Sequence, residues 1–148
     1  MKKMIIALVA MVMTASIASA QNYMVIDSEK VFKSVEAYND ALEQIEKLAT
    51  EYQAAVDNKF AEVESLYNTY MQQRASLSQN SQQQYEQLIL QKEAEATEYQ
   101  ESLFGTEGEL MKKRLELIQP IQKRVFEAID KYAQQKGYDM VIDISQNA

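Results

Sequence analysis

Apolar residues recur along this chain at two different periods. From Glu36 to about Ala75 they step by three or four, at Tyr38, Leu42, Ile45, Ala49, Tyr52, Val56, Phe60, Val63, Tyr67 and Tyr70. That spacing predicts a coiled-coil seam, with one extra residue at Val56–Phe60, a stutter that locally relaxes a left-handed supercoil. The stretch has neither glycine nor proline, so it reads as one helix about 60 Å long. A compact domain of this size is not that wide, and the helix is expected to project.

The pattern breaks at Leu77–Ser81, within the stretch SLSQNS (Ser76–Ser81), which is short, polar and uncharged. Ser78 or Ser81 is suited to cap a following helix, and Ser81 to Gln84 has the S-x-x-Q form of a capping box. Serine and asparagine break helices only weakly, so a helix running straight through is the alternative; a turn is favoured. The second helix then runs from about Gln79 towards Gln119, with a thinner stripe of Tyr85, Leu88, Ala96, Tyr99, Leu103 and Leu110. Two long helices joined by a short loop form an antiparallel hairpin.

The other period is two, and it belongs to the ends. MVID occurs in YMVID at Tyr23–Asp27 and again in YDMVID at Tyr138–Asp143. From Asp139 to Ser145 the residues alternate, with Met140, Ile142 and Ile144 on one face, and Met24 and Ile26 give the first copy a matching M-x-I face. Gly137 follows a helix ending in Gln134-Gln135-Lys136 and is placed to turn the chain into the second strand. The order is thus strand, helix, helix, strand, with both strands at the base of the hairpin and their order and direction open. Between arm and strand, Ile118–Tyr132 is the most apolar helical stretch, and Pro120 is expected to kink or restart the helix there.

Two strands are not stable alone in water. The base is therefore expected to oligomerise, with Met24, Ile26, Ile121, Val125, Ile129, Met140, Ile142 and Ile144 as its core. The divisions are residues 1–20, a leader; 21–35, the first strand and a short helix; 36–117, the arm with its tip near 77–81; and 118–148, the last helix and strand. The fold class is mainly α with a small β component.

The leader reads as a signal peptide: MKK is a positive start, MIIALVAMVM an apolar run, and Ala18-Ser19-Ala20 a small-x-small site with cleavage after Ala20. Ten apolar residues fall well short of the roughly 20 that span a bilayer, and no cysteine is present to carry a lipid. No stable membrane anchor is expected, and the product is exported. It would hold 13 basic and 22 acidic residues, a balance that argues against nucleic acid. With no cysteine and no histidine in 148 residues, a Ser-His or Cys-His nucleophile and a His/Cys zinc site are excluded. The abundant glutamates are expected on solvated helix faces, so no enzyme and no cofactor are expected.

These features together carry a resemblance. A leader, then Y-x-V-I-D-S-E-K-V-F from Tyr23, a Gln/Glu-rich hairpin with L-S at its tip, and L-I-Q-P-I-Q-K-R-V-F-E-A-I-D-K-Y-A-Q-Q-K-G-Y-D-M-V-I-D from Leu117 resemble the Skp/OmpH family of periplasmic chaperones. The resemblance covers nearly all of the chain after the leader. It implies a homotrimer with a β-barrel-like body and three helical tentacles, which enclose a cavity for unfolded outer-membrane proteins. It implies a periplasmic, ATP-independent holdase with no metal or catalytic residue.

A holdase without an energy source competes with aggregation through many weak contacts. Tyr52, Phe60, Tyr67, Tyr70, Tyr85 and Tyr99 are candidates for contact with clients, each offering an apolar ring and, for tyrosine, a polar tip; packing against the partner helix is the other role open to them. Gly105 and Gly108 interrupt the returning helix, either as a flexible hinge or as a kink forced by packing. Charge departs from the family. Glu36–Met111 has 15 acidic and 4 basic residues, net −11, whereas better-studied members are basic. A lipopolysaccharide site is therefore not carried over, and contacts here would be more apolar or the clients more basic. The alternative function is an exported coiled-coil adaptor docking onto another envelope protein. The tip SLSQNSQQQ, with no apolar anchor beyond Leu77 and no charge, weighs against it.

Overall fold

The computed structural model describes residues 22–145; the leader and its cleavage at Ala20 lie outside the described residues. The elements are β1 (Tyr23–Ile26), α1 (Ser28–Lys33), α2 (Glu36–Gln73), a 3₁₀ turn (Arg74–Ser76), α3 (Gln79–Phe104), α4 (Glu109–Lys136) and β2 (Met140–Asp143). The chain is mainly helical, with long helices and one small sheet. It divides into two compact units, one holding the chain up to Val31 together with Phe126 onward, the other Phe32–Val125.

In the first unit the two MVID segments pair, and they pair in parallel. The register sets Tyr23 against Met140, Met24 against Val141, Val25 against Ile142 and Ile26 against Asp143. Beyond it, the Asp139 N–H donates to Asn22 O at 2.7 Å and the Ile144 N–H to Ile26 O at 2.9 Å. Side chains of partnered residues leave a sheet on the same side. The copies are thus offset by one residue, which corrects the expectation that Met24 and Ile26 share a face with Met140 and Ile142. A shift of one residue moves a whole side-chain set to the opposite face. Tyr23, Val25, Met140 and Ile142 form one face and all are exposed. Met24, Ile26 and Val141, on the other, are half-buried.

The repeated aspartates explain why the tetrapeptide ends as it does. The Asp27 carboxylate accepts from the Lys30 N–H at 3.1 Å and sits 2.9 Å from Lys30 Nζ, so it caps the first turn of α1. Asp143, arriving from the far end of the sequence, accepts from the Ser28 N–H of that same turn at 3.1 Å and from the Ser145 N–H at 3.0 Å. The Ser28 and Ser145 hydroxyls lie 3.1 Å apart beside it. Both carboxylates therefore satisfy donors at one helix N-terminus, where the helix dipole also favours negative charge. The Ser28 hydroxyl, then the Ser145 and Ser28 N–H groups, hold the Asp143 carboxyl at about 2. The Lys30 ammonium and N–H hold Asp27 below its ordinary value.

Before β2 the helix ends as expected. Gly137 takes φ 72°, its N–H donates to Gln134 O at 3.2 Å, and the Tyr138 N–H reaches back to Ala133 O at 2.9 Å. These two bonds make a Schellman ending, which needs a left-handed residue and favours glycine.

In the second unit α2 and α3 run antiparallel. Tyr70 stacks on Tyr85 with ring centres 5.7 Å apart, Lys59 Nζ lies 5.9 Å from the centre of the Tyr99 ring, and Tyr52 meets Phe104 edge-on at 6.3 Å. The buried residues are Ala41, Val56 and Tyr70 on α2 and Ala96 and Leu103 on α3, with Val56 and Ala96 only 1 % exposed. Ile45, Leu48, Tyr52, Val63 and Leu66 are half-buried along the same face of α2, and Leu48 lines a groove with Lys113 and Leu117 of α4. The seam thus includes Ala41 and Leu66, whereas Leu42, Phe60 and Tyr67 of the expected seam are exposed. Choosing the largest residue at each step misplaces the phase, because alanines at Ala41 and Ala96 let backbones come close where bulk would hold them apart.

At the turn, Ser78 caps α3 by accepting from the Ser81 N–H at 3.2 Å. Ser81 is inside the helix, so the expected box from Ser81 to Gln84 does not form. Gln82 Nε2 instead donates back to Arg74 O at 3.0 Å and Leu77 O at 3.2 Å, and Arg74 O also accepts from the Leu77 N–H at 3.3 Å. Of the two interruptions expected on the return, one forms. α4 runs unbroken through Pro120, and the interruption falls at Gly105–Gly108. Proline inside a helix removes one hydrogen bond, a cost of about 3 kcal/mol, and here Ile118, Ile121 and Val125 keep one packed face on either side of it.

The carboxylates predict an acid sensitivity with a definite sign. A group whose folded value is depressed adds stability that is present above its unfolded value and lost as pH falls through the folded one. In thermal unfolding followed by circular dichroism, the gap in midpoint between the wild type and Asp143→Asn should be widest near neutral pH. It should shrink from about pH 4 towards pH 2; a gap independent of pH would show that the Asp143 charge is not its source.

Candidate functional site

Every aromatic residue singled out in the sequence lies on α2 or α3, but they are in different circumstances. Tyr70 is 4 % exposed, stacked on Tyr85, and its hydroxyl donates to Glu86 Oε1 at 2.6 Å. That bond to a carboxylate raises the Tyr70 hydroxyl above its ordinary value. Tyr52 and Tyr85 are half-buried in the seam. Phe60 and Tyr67 face solvent, and Tyr99 does so with Lys59 above its ring. In the isolated chain Tyr67 and Phe60 are thus free to touch another molecule, whereas Tyr52, Tyr70 and Tyr85 join α2 to α3.

Two residues that the periodicity did not single out are also exposed. Met71 is 46 % and Leu90 64 % exposed, beside Tyr67 at 48 %. Met71 follows a seam residue directly, and Leu90 follows half-buried Ile89. A large apolar residue one step outside a seam was the signal available in the sequence.

These three line an open groove of about 420 Å³ together with Tyr70, Arg74, Glu86 and Ile89. From the same Leu90 an open face of α3 continues past Glu93, Ala94, Thr97, Glu98 and Glu101. An apolar floor beside carboxylates supports weak, reversible contact rather than covalent chemistry.

Gly105 and Gly108 form a closely packed turn. The Gly105 N–H donates to Glu101 O at 2.8 Å and the Gly108 N–H to Gly105 O at 2.9 Å. Their φ angles do not call for glycine; proximity does. A Cβ on Gly105 would lie 2.5 Å from Glu101 O, and one on buried Gly108 would lie 2.8 Å from Gly105 N and from the Leu103 carbonyl. Of the expected body residues, Ile121, Val125 and Ile129 share one face of α4 with buried Ile118 and Ala133. Among the strand residues, Met140, Ile142 and Ile144 are exposed, while Met24 and Ile26 lie on the opposite face.

A family model described as Outer membrane protein (OmpH-like) matches residues 22–148. The chain belongs to the OmpH-like family. No curated protein matches it. OmpH-like proteins are periplasmic chaperones rather than enzymes. Among the described residues no helix is long and apolar enough to cross a membrane.

The glycine turn of this OmpH-like chain yields a stability prediction. Gly108→Ala and Gly105→Ala should each cost about 1–3 kcal/mol, as overpacking does. Gly137→Ala, where nothing lies within 4 Å of the new Cβ but φ is positive, should cost about 1 kcal/mol. Urea unfolding of the three variants decides it; an unchanged midpoint for Gly108→Ala would mean that the turn relaxes freely.

Proposed function

We propose that this protein is an ATP-independent periplasmic holdase that keeps unfolded outer-membrane proteins from aggregating. The observation that carries the reading is an antiparallel pair of long helices, in a member of a chaperone family, with Tyr67, Met71 and Leu90 left on its surface. An unfolded barrel strand exposes alternate apolar side chains and unpaired edges to water. Many shallow contacts along an arm cover such segments without fixing them, and the client leaves when insertion into a membrane offers more burial.

In this reading the chain acts as a homotrimer after removal of a leader at Ala20. The exposed sheet face of Tyr23, Val25, Met140 and Ile142 joins those of two other protomers in a common body. A lone two-stranded sheet with one apolar face in water is too small to be stable, and a shared core removes that exposure. The arms, folded as hairpins and projecting from the body, enclose the client, and Gly105 and Gly108 set the bend of each arm.

Native mass spectrometry of residues 21–148 tests the whole reading. The protein alone should appear as a trimer. Mixed with a urea-unfolded outer-membrane barrel as the urea is diluted, it should gain the mass of one barrel chain. A monomer or dimer that ignores the barrel would contradict the proposal and favour an adaptor with one folded partner.

A further inference from the structure

We propose that the groove near the turn accepts unfolded segments that are cationic as well as apolar: an aromatic or aliphatic side chain followed, about five residues on, by lysine or arginine. The inference rests on the holdase reading and adds the chemistry that the arm selects. Two observations converge on it. Tyr67, Met71 and Leu90 form an apolar floor, and from Leu90 an open face of α3 continues past Glu93, Glu98 and Glu101. Those three carboxylates take part in no ion pair among the described residues. Lys92 is engaged with Glu95 at 2.6 Å and Lys59 lies above Tyr99 at 5.9 Å, while Arg74 lines the turn-side end of the apolar floor, away from these carboxylates in sequence.

The dimensions agree. Leu90 to Glu101 is eleven residues of helix, about 16 Å, and about five residues of extended chain cover that length at roughly 3.3 Å each. A client residue seated on Tyr67, Met71 and Leu90 therefore places its neighbours within reach of the carboxylates. A lysine or arginine arriving there gains a partner, whereas an aspartate or glutamate meets like charge. Across Glu36–Met111 the net charge is −11, so the surrounding field has the same sign and does not offset the preference.

The test uses three fluorescent peptides with identical apolar residues, carrying lysine, glutamate or glutamine at the alternating polar positions. Fluorescence anisotropy at low salt should show the lysine peptide binding about tenfold more tightly than the glutamate peptide, a ratio that salt reduces. Combined Glu93→Gln, Glu98→Gln and Glu101→Gln, all on an exposed helix face, should bring the ratio to about twofold while binding of the glutamine peptide is unchanged. Leu90→Ser with Met71→Ser should weaken all three peptides together. Equal affinity of the wild type for the lysine and glutamate peptides, or an undiminished ratio in the triple variant, overturns the inference. Suppression of barrel aggregation by the wild type is measured alongside. If suppression holds while the charge preference is missing, only the inference fails. If the preference holds without suppression, the inference stands and the holdase reading fails.

Discussion

The parallel pairing of β1 with β2 is the constraint on which the rest of this chain depends. Antiparallel strands are joined by a turn of two residues, but parallel strands need a crossover. Here everything from Asp27 to Asp139 is that crossover, so the long helices are also the connection that allows the two ends to meet. The ladder is only four residues long. It is reinforced by Asp27 and Asp143, which bring both strand ends onto the first turn of α1 through their carboxylates. A pairing this short, with one apolar face exposed, is a joint awaiting further cover. That need connects the local chemistry of a repeated tetrapeptide to the trimer proposed for the whole protein.

The helical unit follows a different logic. Two helices packed along one seam bury a single stripe each, so most of their surface remains in water whatever its composition. Val56, Tyr70, Ala96 and Leu103 use up the buried positions. Large apolar residues outside that stripe then stay exposed among the described residues, and Tyr67, Met71 and Leu90 are such residues. Their exposure follows from the architecture, and a role in transient contact requires no conformational change to reveal them. Surface ion pairs such as Lys112 with Glu109 and Lys113 with Glu116 lie three residues apart on the same helix, where solvent screens them and they contribute little.

Much of this was legible in the residues, and the failures have physical causes. The periods of two and of three to four identified strands and helices because burial of one face imposes those spacings. Gly137 and the turn after Gln73 were legible because left-handed backbone and unsatisfied helix ends admit few residue types. The phase of the seam was not, since Ala41 and Ala96 pack by their smallness and a search for bulk passes over them. The offset between the MVID copies was hidden for another reason: identical tetrapeptides invite pairing like with like, but Asp143 must reach past Ile26 to the Ser28 N–H. Pro120 does not break the helix as expected, because a packed face carries a helix through a proline, whereas the interruption expected at Gly105 and Gly108 forms, where close backbone contacts demand glycine. Tyr67 and Phe60 were named from composition; their exposure became apparent only once the seam was fixed.

A cross-link would test the strand pairing most directly, since the chain has no cysteine of its own. The register sets Val25 beside Ile142 on one face and Met24 on the other. Val25→Cys with Ile142→Cys should oxidise readily to a disulfide within one chain, while Met24→Cys with Ile142→Cys should remain reduced under the same conditions, because side chains on opposite faces of a sheet do not meet. The opposite result, or cross-linking of both pairs alike, would contradict the offset parallel pairing and the shared capping of α1 that follows from it.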